Sequence, residues 1–136
     1  MKPERVDLQG VIEVRGVVER VLQTRLREAT GLAASLERRD KGELHDFRIA
    51  CKRLRYALER FAQIEPAFQV AAERLALLQD ALGETHDRDV LLAILPPPME
   101  RTKHRLRSER EAHVDRAVAL WDELQGLTQN FDSHRI

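Results

Sequence analysis

Apolar residues recur at three- and four-residue steps from the start of the chain. Val11, Val14, Val18, Val21, Leu22 and Leu26 follow that spacing, which gathers them on one side of a helix. The pattern predicts a first helix from about Leu8 to Arg39, with Gly31 as a point of kinking or fraying. "RRDKGE" then reads as a turn, with Asp40 and Gly42 as its turn residues. A second helix follows from about Glu43 to Ile64, and Phe47, Ala50, Cys51, Leu54, Leu58 and Phe61 share one arc of it. Pro66 closes that region and suits the first turn of a third helix, about Ala67 to Leu82, with Leu75, Leu78 and Leu82 as its apolar seam. Gly83 is placed like the residue after a helix end. Thr85 would then cap a short helix through Leu95. An unbroken helix through Gly83 is the alternative, at a cost of roughly 1 kcal/mol for the glycine. Three prolines, Pro96 to Pro98, break the chain before a last helix from about Met99 to Gln125. Val114, Ala117, Val118, Trp121 and Leu124 look like its core positions. Residues 127–136 read as a flexible tail. Four helices on short links imply one all-α domain over residues 1–126, an antiparallel four-helix bundle.

Composition supports this class. The chain has 136 residues, 43% hydrophobic and 34% charged, which suffices for a single core. Aromatics are only 4%, and Gly and Pro are few, so helix formers dominate over strand formers. One cysteine, Cys51, rules out an intrachain disulfide and suits a reducing compartment. It lies on the apolar arc, which favours a core role. The N-terminus lacks the apolar run of a signal peptide, and "VLLAIL" is far too short to span a bilayer. A cytoplasmic protein with no membrane partner is expected.

Lys plus Arg equals Asp plus Glu at 23 each, which disfavours a generic basic nucleic-acid binder. The charges are nevertheless segregated. From His45 to Arg60, five cations face Asp46 and Glu59, a local excess of +3 with His neutral. From Pro66 to Leu95, Arg74 and Arg88 face five carboxylates, a local −3. On the second helix His45, Arg48, Lys52 and Arg55 follow steps of 3, 4 and 3, so they line an arc beside the apolar one over roughly 15 Å. Arg53 and Arg60 project elsewhere. Like charges stacked at these spacings destabilise an isolated helix, and Glu59 relieves only the Arg55 end. A long, oxygen-rich anion laid along the stripe would remove the repulsion. A solvated face, or pairing with the acidic third helix, would also account for the pattern. Lys103, Arg107 and Arg110 repeat the spacing on the last helix and offer a second basic wall, or another solvated face.

Other chemistry is less well supported by spacing. His86, Asp87 and Asp89, with distant His45 and Asp46, invite a metal reading. However, adjacent His86 and Asp87 face different sides of a helix, and no paired-histidine motif occurs, so no metal ligand is assigned. Asp87 is expected to pair with a basic residue of the second helix and fix its rotamer. Ser35, Ser108 and Ser133 lack any nucleophile elbow. No exposed aromatic platform is expected among the cations, which counts against single-strand nucleic-acid recognition.

Two segments resemble a known family. "HDFRIACKRLRYALERF" is similar to the signature of CHAD domains, the conserved-histidine α-helical domains: a His, an Arg three later, then an (R/K)RLR(Y/S) element. "LQDALGETHDRDV" resembles the same family's LQ-x-x-LG-x-x-x-D-x-x-V element, in the right order. The resemblance implies a helical, non-catalytic module that binds inorganic polyphosphate and needs no cofactor, with a link to polyphosphate granules. It carries the basic positions onto His45, Arg48, Lys52, Arg53 and Arg55. The familiar full-length domain has two four-helix halves related by a pseudo-two-fold axis, and the resemblance covers one half. A symmetric homodimer would rebuild the pair, unless one half suffices. Two rivals stand beside this expectation: a metal-dependent phosphohydrolase acting on polyphosphate or nucleotides, and a nucleic-acid-binding or adaptor bundle.

Overall fold

In the computed structural model, which describes residues 2–133 and their side chains through Gln129, the chain forms five helices. They are α1 (Val14–Leu32), α2 (Ser35–Arg38), α3 (Lys41–Phe61), α4 (Ala67–Ile94) and α5 (Glu100–Ser133). No strand occurs among the described residues. The four long helices pack as a four-helix bundle, α1 on α3, α3 on α4 and α4 on α5, with α2 bridging α3 and α5.

Helices α3, α4 and α5 bury most of the arc their spacing predicts, whereas of the positions expected on α1 only Val18 is buried and Val14 is exposed. From α3 come Leu44, Phe47, Ala50, Cys51, Leu54 and Leu58. From α4 come Ala71, Ala72, Leu75, Leu78, Ala81 and Leu82. Val114, Ala117, Leu120, Trp121 and Leu124 of α5 complete the centre. Trp121 meets Phe47 edge to face, with ring centroids 5.2 Å apart, the offset that aromatic quadrupoles favour. Cys51 is fully buried, and that burial pushes its thiol pKa up because the thiolate would be stranded without water.

The first predicted helix is shorter than expected and broken. Its start is given over to an extended segment that runs along α1. Glu4 N–H donates to Glu28 Oε2 at 3.1 Å, and Arg25 Nη2 donates to the Glu4 carbonyl at 3.1 Å. Gly16 makes this docking feasible, since a Cβ there would lie 2.9 Å from Val11 Cγ1. At the other end the chain breaks between α1 and α2, while Gly31 stays inside α1.

The turn before α3 also differs from expectation. Arg39, not Asp40 or Gly42, takes the left-handed conformation, with φ 58°. That costs a non-glycine residue roughly 1 kcal/mol. Its side chain binds Glu111 at 2.5 Å and Asp115 at 2.6 Å, and its carbonyl accepts from Arg110 Nη2 at 2.8 Å. Asp40 instead caps α3, accepting from Glu43 N–H at 3.0 Å. Gly42 lies within α3.

The helix is continuous through Gly83, so the alternative to a break holds. Thr85 is not a cap; its hydroxyl is buried and donates back to the Ala81 carbonyl at 2.9 Å. Leu78, Ala81, Leu82 and Thr85 are all buried around the glycine, and their packing outweighs its poor propensity. The prolines do separate α4 from α5. Helix α5 continues through Gly126 to Ser133, past the predicted end at Gln125. Residues 134–136 of the expected tail lie outside the described residues.

Candidate functional site

The basic arc of α3 is realised. The apolar positions of α3 turn it so that His45 and Lys52 are exposed while Arg48, Arg53 and Arg55 are half-buried beside the neighbouring helices. Arg48 lies across α4 at Gly83. A Cβ added there would meet its Nη2 at 3.7 Å and its Nε at 3.9 Å. The guanidinium therefore rests against bare helix backbone. Its Nε is buried and makes no hydrogen bond among the described residues. Next to it, the His45 ring lies 5.4 Å from the His86 ring of α4, tilted by 34°. Lys41, Leu44, His45, Arg48, Leu82, Thr85, His86 and Asp89 together line a shallow pocket between the two helices.

Neutralisation is sparse along the arc. Neither Arg48 nor Lys52 has a carboxylate within ion-pair distance among the described residues, and Arg55 reaches only Glu59, at 3.3 Å. Arg53 is engaged in an interaction of its own. The acidic helix α4 spends its charge elsewhere: Glu84 pairs with Arg88, and Asp89 pairs with Arg110 at 2.5 Å. The local −3 of α4 thus does not cancel Arg48 or Lys52.

Two expected positions take other roles. Arg110 is no part of an open wall. Only 12% of its side chain is exposed, and it is held by Asp89, by Glu111 and by the Arg39 carbonyl. Asp87 is exposed and forms no ion pair among the described residues. The pairing expected between Asp87 and the second helix is therefore absent among the described residues; Asp89, two residues on and turned by about 200°, pairs instead with Arg110 of α5. On the rest of α5, Lys103 sits 3.9 Å from Glu100, while Arg107 is exposed and forms no ion pair among the described residues. Helix α5 packs chiefly on α4.

The structure brings to the arc residues that spacing does not place on it. Lys41 and His86 border the arc, and Gly83 seats Arg48. Tyr56 is 49% exposed. Lys52 Nζ lies 5.7 Å and Arg55 Cζ 5.1 Å from its ring centroid. An aromatic platform among the cations is therefore present, against expectation. It was legible: Tyr56 is four residues after Lys52, one helical turn on.

Among the described residues no three His, Cys, Asp or Glu side chains converge as a metal-ligand group, and no helix is long and apolar enough to cross a membrane. What the arc offers chemically is a run of fork-shaped and point-like cations with spare donors, open to solvent on one side.

No curated protein and no solved structure matches the chain. A CHAD domain profile matches residues 5–96. That span holds more than half of the chain, including all of α3 and the pocket it forms with α4, and the protein is therefore a member of the CHAD domain family.

Proposed function

We propose that this protein binds inorganic polyphosphate along the outer arc of α3 and does not cleave it. CHAD domains are linked to polyphosphate. The observation that carries the reading for this chain is that Arg48 and Lys52 stand on one helix face without a carboxylate partner among the described residues, although an acidic helix packs alongside. Arg48 contributes a guanidinium backed by Gly83, with its outer N–H groups left for phosphate oxygens. Lys52 and Lys41 add mobile point charges, and Arg55 is only partly neutralised by Glu59. His45 supplies a further ring N–H at the α4 side of the arc. Arg107 is the remaining candidate on α5.

Binding weakens steeply with added salt under this reading, because a polyanion releases its condensed cations when protein charges replace them. Arg48→Glu combined with Arg55→Glu removes two charge-assisted contacts and adds repulsion. Retention of long-chain polyphosphate should fall by roughly 100-fold or more. Both side chains lie outside the buried core, so circular dichroism should show an intact bundle. A folded double variant that still retains polyphosphate would place the site elsewhere. Phosphate release on addition of Mg²⁺ or Mn²⁺ would favour a hydrolase instead. The proposed setting is the cytoplasm, on polyphosphate granules; a fluorescent fusion that ignores granules would remove that part.

A further inference from the structure

Polyphosphate gives Tyr56 nothing to do. The negative face of an aromatic ring does not attract phosphate oxygens. Yet the ring stands 49% exposed on the same arc as His45 and Lys52, at the end of the row where Arg55 approaches it most closely. A half-exposed ring set among cations is the arrangement by which proteins hold a base and its phosphates together, the ring by stacking and the cations by charge.

The spacing suits one molecule. Tyr56 lies about 6 Å along the axis from Lys52 and about 12 Å from Arg48, so a base over the ring would direct its phosphates back along the stripe. The two cations beside the ring differ in freedom. Arg55 is half-buried and 3.3 Å from Glu59, which keeps it at the ring. Lys52 is exposed, without a carboxylate partner among the described residues, and 5.7 Å from the centroid. It can leave the ring for a phosphate at little cost. We propose that this face takes nucleoside 5′-triphosphates, with the base stacked on Tyr56 and the phosphates on Lys52 and Arg48. The inference rests on the polyanion reading of the same arc.

Titration calorimetry with ATP and with inorganic tripolyphosphate, at equal low ionic strength and without divalent metal, separates the two ideas. ATP carries less charge for the same number of phosphates, so charge alone favours tripolyphosphate. The expected result is ATP binding about 5-fold or more tighter, the gain of one stacked base. Tyr56→Ala should abolish that advantage while leaving tripolyphosphate affinity within about 2-fold, and Tyr56→Phe should keep it. Tripolyphosphate binding as tightly as ATP, with a ratio unmoved by Tyr56→Ala, would overturn the nucleotide inference and leave the polyphosphate reading standing. Failure of ATP, tripolyphosphate and long polyphosphate alike would remove both.

Discussion

At the scale of single residues, Gly83 and Arg48 act as a pair. The glycine weakens α4 locally but leaves the backbone bare where the guanidinium lies. Alanine there would touch Arg48 Nη2 at an ordinary 3.7 Å contact. Gly83→Ala is therefore expected to raise stability by up to about 1 kcal/mol through helix propensity, with polyphosphate binding retained. Gly83→Leu should instead push the guanidinium off its seat and weaken binding in a fold that still melts cooperatively. Thermal melts paired with polyphosphate titrations would check both; equal binding by the leucine variant would show that the seat is irrelevant to the ligand. Cys51 makes a second residue-scale case. Its thiol is buried and its pKa raised above the ordinary 9.0. The folded protein should resist alkylation by iodoacetamide until denaturant unfolds it. Above pH 9.0 the unfolded chain ionises this thiol while the folded chain keeps its proton. The unfolded state then binds fewer protons, and stability falls as pH rises. A urea midpoint that stays flat over that alkaline range would contradict the linkage. Both residues were partly legible: Cys51 lies on the apolar arc by spacing, whereas the seat at Gly83 joins residues 35 positions apart, which no local period reveals.

At the scale of elements, the contest is between helix ends and tertiary packing. The helix period located all four long helices, because a buried arc must repeat every three or four residues whatever its partner. It misplaced the ends where neighbours decide. The start of α1 is shortened because the N-terminal segment docks on it through Glu4 and Gly16. The turn into α3 is set by Arg39, whose unfavourable φ is held by carboxylates of α5. The Asp89–Arg110 pair ties α4 to α5, with 14% and 12% of the two side chains exposed. Asp89→Ala leaves Arg110 only Glu111 and the Arg39 carbonyl and should cost about 1–2 kcal/mol, below the penalty of a wholly buried pair because a second carboxylate and some solvent still reach the guanidinium. Asp87→Ala, two residues away and exposed, should cost no more than about 0.5 kcal/mol. Urea unfolding of the two variants side by side would test this; equal losses would deny Asp89 its special role.

At the scale of the whole molecule, zero net charge hides a dipolar arrangement in which the basic face of α3 and the acids of α4 occupy neighbouring helices without cancelling at Arg48 and Lys52. One bundle presents one such face. A symmetric pair of chains would set two faces on either side of a shared two-fold axis, and this is the proposed binding form. Light scattering in solution with defined-length polyphosphate should report about twice the 15.7 kDa of one chain; a mass that stays at one chain would show that a single half suffices.

The sequence by itself determined the helical class, the buried arcs of α3, α4 and α5 and the line of cations on α3, because these follow from local period and side-chain chemistry. Only the tertiary structure decided which cations remain available. Arg110 and Arg48 look alike in the chain, yet Arg110 pairs with Asp89 from 21 residues away while Arg48 lies against Gly83 with no ion-pair partner among the described residues. Neutralisation depends on distances of a few ångströms across helices, and those distances are set by how the apolar arcs rotate each helix against its neighbours.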